Sequence, residues 1–213
     1  PFKRNSFTTL EDLYKDVYNF LEGSYNSVAT IRPQKVSIGI KYHPDVNGDL
    51  ICLDIVPGRE LNQDQYDVDK NMNLYVANKY GKLDEKKYIQ TNIQSQIDHI
   101  KNTGDNKDSI RQIIRLFKIW KSSLNKNYKS FFFELITIKA FEKAEVEGDL
   151  WEKFKIVMTY IIENVKKDDF KLPDPGNSNN DVMDILTGTD RSLLAFELDN
   201  ILRSIEVNDE NIK

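Results

Sequence analysis

Leu53-Asp54-Ile55-Val56 sets one carboxylate inside an apolar run. An ionised Asp among apolar neighbours is costly unless a cation, a charge partner or hydrogen bonds meet it, so something is expected opposite Asp54. The tetrapeptide closes the stretch Leu50-Ile51-Cys52-Leu53-Asp54-Ile55-Val56, which Pro57-Gly58 stops. Upstream, Lys35-Val36-Ser37-Ile38-Gly39-Ile40-Lys41 alternates apolar and polar residues as a half-buried strand does. The loop His43-Pro44-Asp45-Val46-Asn47-Gly48-Asp49 joins the two runs into a β-hairpin, with Leu50, Cys52, Asp54 and Val56 on one face. The plainest reading of Asp54 is a strand-end carboxylate paired with Lys or Arg, or held by backbone.

The 213 residues suffice for one large domain or two small ones with a sizeable core. Hydrophobic residues make up 39% and charged residues 30%, the balance of an ordinary soluble protein, so the expected location is the cytoplasm. There is no run of about 18 apolar residues, and Pro1-Phe2-Lys3-Arg4-Asn5 lacks the apolar stretch of a signal peptide. No membrane partner is expected. Cys52, the sole cysteine, excludes an intramolecular disulfide and is expected as a packed thiol. The net charge of −4 disfavours long DNA or RNA as a partner, whereas a small anion needs only a few well-placed cations. That balance points toward nucleotides.

Thr8-Thr9-Leu10-Glu11 has the Thr-x-x-Glu spacing of a capping box, followed by Leu10, Leu13, Tyr14, Val17, Tyr18 and Leu21 at helical spacing. Gly23-Ser24 is expected to close this helix before the hairpin. From Glu60 to Asn73 the chain reads as a polar loop, then Leu74-Tyr75-Val76 as a short strand and Asn78-Lys79-Tyr80-Gly81-Lys82 as a turn. Three strands are few for a sheet with covered edges, so this part looks incomplete. Beyond about residue 88 the pattern is helical. Its marks are Ile93, Ile97 and Ile100; Ile110 to Trp120, ended by Ser122-Ser123; Phe132 to Phe141; and Leu150 to Ile162. Pro173-Asp174-Pro175-Gly176-Asn177-Ser178-Asn179-Asn180 breaks the series before two last helical stretches around 182–186 and 193–205. The expectation is an α+β protein: residues 1–88 a small mixed piece, residues 89–213 a helical bundle, with a ligand cleft at the seam.

Arg111, Arg115 and Lys118 fall at i, i+4, i+7 and share a helical stripe, which serves equally as a solvated surface or as a phosphate grip. Ser130 opens the next helix, where free backbone N–H groups suit phosphate oxygens; it also reads as a plain N-cap. Phe131-Phe132-Phe133 cannot all enter one core, leaving Phe131 to stack on a base or on a neighbouring helix. The Asp174 to Asn180 loop can cap the next helix or hydrogen-bond a base or ribose. Asp67-Val68-Asp69 has metal-pair spacing but polar flanks and no rigid strand, and is read as structural. His43 and His99 lie in different elements and support no zinc or nucleophile site.

Taken in order, Leu53-Asp54-Ile55-Val56-Pro57, Ile114-Arg115-Leu116-Phe117-Lys118-x-Trp120-Lys121, Ser130-Phe131-x-x-Glu134 and Leu172-Pro173-Asp174-Pro175-x-Asn177-x-Asn179-Asn180 resemble the template-independent nucleotidyltransferases of the polymerase-beta superfamily. The nearest branch is the bacterial CD-NTases, relatives of oligoadenylate synthetase and cyclic GMP-AMP synthase that make nucleotide second messengers in antiphage defence. The resemblance implies a partial polymerase-beta-like sheet followed by an oligoadenylate-synthetase-like helical bundle. It implies two-Mg²⁺ catalysis on nucleoside triphosphates: ATP, and GTP, UTP or CTP. Asp54 matches the third metal carboxylate, Lys118 the lysine on the triphosphate, Ser130 the serine beside it and Phe131 the aromatic on the base. Asn179 and Asn180 match a segment near the nucleotide pocket.

The family's Gly-Ser turn and Asp-x-Asp pair belong ahead of the first helix, and residues 1–10 do not contain them. The expectation is therefore a fragment of a longer enzyme, inactive by itself, since one carboxylate cannot position two divalent ions. Two alternatives accompany this reading: an RNA- or tRNA-tailing transferase, and a non-catalytic protein that keeps the fold to bind a nucleotide or a partner.

Overall fold

The computed structural model describes residues 1–76 and 88–211, with side chains described as far as residue 204. The turn expected over residues 78–82 lies outside the described residues. The chain divides into two compact units, Pro1–Ser95 and Gln96–Lys213.

The first unit opens with α1 (Leu10–Tyr25), whose Leu13, Tyr14 and Leu21 are buried. Its capping box is Thr9 with Asp12, one residue later than the Thr8 spacing suggests. Glu11 is instead drawn to Lys15, 2.7 Å away. The helix runs through Gly23-Ser24, because helical hydrogen bonding continues to the Asn26 N–H on Glu22 O. β1 (Ala29–Pro33), which the sequence reading passes over, pairs antiparallel with β2 (Ile38–Tyr42), and β2 with β3 (Cys52–Ile55). The expected hairpin is thus present as β2 and β3. A second antiparallel sheet holds β4 (Gly58–Glu60), β5 (Met72–Tyr75) and β6 (Tyr88–Thr91). The stretch read as a polar loop therefore contributes the last residue of β4, a one-turn helix α2 (Tyr66–Asp69) and the start of β5. Phe2 adds a parallel bridge beside Arg59.

Register decides what Asp54 faces. Ile38 stands opposite Ile55 and Ile40 opposite Leu53, while Gly39 stands opposite Asp54 and Lys41 opposite Cys52. Since side chains alternate, the first pairs share one face and the second pairs the other. Ile38 and Ile40 pack with Tyr14, Leu21 and Ala29, and Ile55 rests against that cluster. Asp54 is on the opposite, open face. Two expectations fail: Asp54 is not among buried apolar groups, because it lies on that open face, and the β3 run is exposed, with Leu53 48% accessible even on the Ile40 side, because β3 is the last strand of its sheet among the described residues. Cys52 is an exposed thiol rather than a packed one. Apolar composition alone does not reveal that a strand lies at a sheet edge, as β3 does among the described residues.

The second unit contains α4 (Lys107–Ser123), α5 (Ser130–Lys143), α6 (Leu150–Asn164) and α7 (Gly188–Asn211); α3 (Ile93–Lys101) runs across the division. Its core joins Ile113, Phe117, Phe132, Phe133, Ile136, Val157, Met158, Ile161 and Leu194, all fully buried. Phe117 stacks on Phe133 with ring centres 4.8 Å apart. Asp149 caps α6 in a capping box with Glu152. The Pro- and Asn-rich break is a two-stranded ribbon, β7 (Pro173–Asp174) with β8 (Asn177–Asp181). Asp181 then accepts hydrogen bonds from the N–H groups of Leu172 and Met183, turning the chain into the short helical stretch Val182–Ile185. No helix among the described residues is long and apolar enough to cross a membrane.

Candidate functional site

Asp54 and the remaining site candidates fall in different units, and each unit is described by itself. In the first, the Asp54 carboxylate is exposed on the open face of β3 and accepts one hydrogen bond, from Gln34 Nε2 to Oδ1 at 3.1 Å. Among the described residues, the partner that meets Asp54 is therefore a neutral amide, not a Lys, an Arg or the backbone. The Gln34 side chain is itself held, its Oε1 accepting from Ser37 Oγ at 2.8 Å. The turn that carries it is tied to α1, because the buried Tyr14 hydroxyl donates to Gln34 O and Ser37 O at 3.0 and 2.9 Å. Burial raises the Tyr14 phenol above its ordinary pKa, so it stays a neutral donor.

In the second unit, Lys118 on α4 reaches Glu134 on α5, Nζ to Oε1 2.6 Å. Ser130 and Glu134 are four apart on α5, so they lie one turn from each other on one face. The structure thus brings Lys118 and Ser130 to one corner of the α4–α5 hairpin. The N-cap position of α5 is Lys129, and Ser130 is its first helical residue with no side-chain cap, which corrects the N-cap reading of Ser130. Phe131 is partly buried and packs against the main core, whereas Phe132 and Phe133 are sealed inside it. Arg115, on the same stripe as Lys118, is exposed to solvent.

Around that corner further groups gather: Lys121, which closes the motif on α4, and Lys126, Tyr128 and Glu197, which carry no motif. Lys121 Nζ donates to Tyr128 O at 2.8 Å. Lys126 is ion-paired with Glu197 of α7, and the Tyr128 hydroxyl donates to the same carboxylate at 3.3 Å. Burial, then the Glu197 charge, push the Tyr128 phenol up to about 12, so it donates across the ordinary pH range. Asn179 and Asn180 are exposed on β8, where the Asn179 N–H donates to Asn177 Oδ1 at 3.2 Å. Asp174 accepts from Gln96 Nε2 at 2.9 Å and from the Gly176 N–H at 2.8 Å, fixing the ribbon's turn.

Asp67 and Asp69 are spent locally, Asp67 near Lys70 and Asp69 on Asn62 and the Asn71 N–H. Among the described residues no three His, Cys, Asp or Glu side chains form a group able to hold a metal ion. The residues described do not by themselves fit a pair of Mg²⁺ ions, for which Asp54 supplies one carboxylate.

No family model matches the chain. Over 95 residues, 45% of this chain, it is 28% identical to the CBASS oligonucleotide cyclase CdnC of Escherichia coli strain KTE188, and a second Escherichia coli CdnC gives the same figures. That match spans 30% of each cyclase's length. Among solved structures, the Bradyrhizobium diazoefficiens CD-NTase CdnG in complex with GTP superposes on 98% of this chain with a TM-score of 0.71 at 15% identity. The chain has the CD-NTase fold. This chain spans 69% of that CD-NTase. A second structure, the cyclic dinucleotide synthase CdnE of Elizabethkingia meningoseptica with GTP and Apcpp, matches over 91% of this chain and 71% of its own length, with TM-score 0.60 and 14% identity. The family resemblance drawn from the four motifs is borne out, as is the α+β arrangement of antiparallel sheets followed by a helical bundle.

Proposed function

We propose that the full-length protein is a nucleotidyltransferase that joins nucleoside triphosphates into a cyclic or linear oligonucleotide second messenger for antiviral defence. The observation that carries this reading is the 95-residue similarity to CBASS oligonucleotide cyclases. It is supported by the fold's likeness to a GTP complex and by an exposed carboxylate, Asp54, held by a neutral partner.

On this reading Asp54 is one of three Mg²⁺ carboxylates, and these 213 residues do not turn over nucleotide alone, since one carboxylate does not hold two ions. The other roles rest on groups of this chain. Lys118 gives the triphosphate an ammonium that Glu134 keeps aimed along α5. The first N–H groups of α5, beginning at Ser130, have no intrahelical partners and suit phosphate oxygens, as does the helix dipole. Phe131 offers the exposed part of its ring to a base, and Asn179 and Asn180 offer amides to base or ribose.

The test is product analysis of the full-length protein with the four nucleoside triphosphates and Mg²⁺, with and without added RNA. Short cyclic or linear oligonucleotides are the expected products. Tailing of the RNA would replace this reading with the tailing transferase, and nucleotide binding without turnover would replace it with the non-catalytic protein.

A further inference from the structure

We propose that Gln34 is a positioning residue that fixes the Asp54 carboxylate, and that position 39 is glycine so that Gln34 can reach it. The inference rests on Asp54 being a reacting-site carboxylate. Gly39 of β2 stands directly opposite Asp54 of β3, so a side chain at 39 would rise on the same face beside the carboxylate. The Gln34 side chain occupies that place instead. A Cβ added at Gly39 would fall 2.4 Å from Gln34 Nε2, with Arg32 Nε and Cγ at 3.2 and 3.3 Å. Gln34 Nε2 crosses the gap to donate to Asp54 Oδ1 at 3.1 Å.

The other end of the amide is fastened. Ser37 Oγ donates to Gln34 Oε1 at 2.8 Å, which turns the NH₂ of the amide toward Asp54. The Gln34 N–H donates to Ser37 O at 2.9 Å, and Tyr14, rooted in the core, holds the turn from below. Orientation therefore passes from α1 through the turn at 34–37 to one carboxylate oxygen, and the second oxygen has no partner among the described residues. A neutral donor serves this purpose where a cation would not. An Arg or Lys in contact would orient Asp54 but also cancel the charge that a divalent ion or an attacking hydroxyl requires, whereas an amide fixes the geometry and leaves the charge intact.

The experiment uses the full-length protein with Gln34→Met, Gly39→Ala, the double variant, Gln34→Glu and Asp54→Asn. Steady-state kcat, nucleotide KM, the Mg²⁺ concentration for half-maximal rate and thermal midpoint are measured for each. In ¹⁵N spectra the Gln34 side-chain amide is expected to shift in Asp54→Asn and in Gly39→Ala. Gln34→Met, which keeps the length and loses the donor, is expected to lower kcat about tenfold and raise the Mg²⁺ requirement, with nucleotide KM nearly unchanged. Gly39→Ala, which keeps Gln34 and displaces it, is expected to do the same, and the double variant no more than either. Gln34→Glu, which sets a second carboxylate against the first, is expected to fall further. Wild-type kcat and Mg²⁺ dependence in Gln34→Met, together with an inactive Asp54→Asn, would overturn the positioning role and leave the transferase reading standing. Full activity in Asp54→Asn would remove both.

Discussion

Lys118 Nζ stands 2.6 Å from Glu134 Oε1, joining α4 to the face of α5 on which Ser130 lies one turn earlier. The lysine side chain keeps 42% of its surface accessible and the glutamate 18%, so the pair is screened on the cation's side and its net contribution to stability is about 0–1 kcal/mol. Its consequence is directional: the ammonium is held while still open to a second anion. Lys118→Ala is therefore expected to weaken nucleotide binding by about tenfold or more, the loss of a charge-assisted contact. The thermal midpoint should move little. Isothermal titration of the full-length protein with ATP and GTP, beside a melting curve, checks both halves.

Phe131 and Phe133 stand two residues apart and have opposite expected effects. Phe133 is fully buried, stacked on Phe117 and edge-on to Phe132 at 5.2 Å, so Phe133→Ala should destabilise by about 3–5 kcal/mol. Phe131 is only partly buried, so Phe131→Ala should lose less stability and more nucleotide affinity. Urea unfolding and nucleotide titration of the two variants separate these outcomes.

Helix α1 carries Tyr14, and its start is secured by Thr9, whose side chain accepts from the Asp12 N–H at 3.0 Å. Thr9→Ala removes that acceptor and should cost about 1 kcal/mol of stability. Thr8→Ala should cost nothing comparable, because the box does not involve it. Paired denaturation curves distinguish the two threonines.

Burial pushes the Asp181 carboxyl up, but the N–H groups of Leu172 and Met183 and the Lys171 ammonium outweigh it and hold it below its ordinary value. A carboxyl whose folded pKa is depressed stabilises the fold fully above its unfolded pKa of about 3.9, and that contribution is lost as pH falls through the folded value. The wild-type advantage over Asp181→Asn in urea midpoint should accordingly be present at neutral pH and shrink on acidification from about pH 4 downward.

The helices of the second unit were legible because apolar residues recur every three to four positions, as at Ile110, Ile113, Ile114 and Phe117, and those four are buried as the spacing implies. The β2–β3 hairpin was legible from alternation and the Pro44 to Asp49 loop. β1 and β4 were not: β1 alternates over only two apolar residues, Ala29 and Ile31, before Pro33, and β4 is three residues long. Asp54 was legible as an unusual carboxylate, but its exposure depends on which strand lies at the sheet edge, a tertiary fact that Leu53 and Ile55 do not encode. Lys118 and Ser130 stand out by residue type and order, while the pairing of Lys118 with Glu134, one turn along α5 from Ser130, depends on how α4 packs against α5. Gln34 gave no signal of its own. Gly39 did, because a glycine inside an alternating strand marks a place that another group must approach closely.

Cyclic or linear oligonucleotide formation by the full-length protein, compared between wild type and Asp54→Asn at saturating Mg²⁺ and nucleotide, tests the central claim most directly. The expected result is abundant product from the wild type and none above background from Asp54→Asn, with equal thermal midpoints because the exposed Asp54 side chain supports no core. Equal product from both proteins would contradict the account.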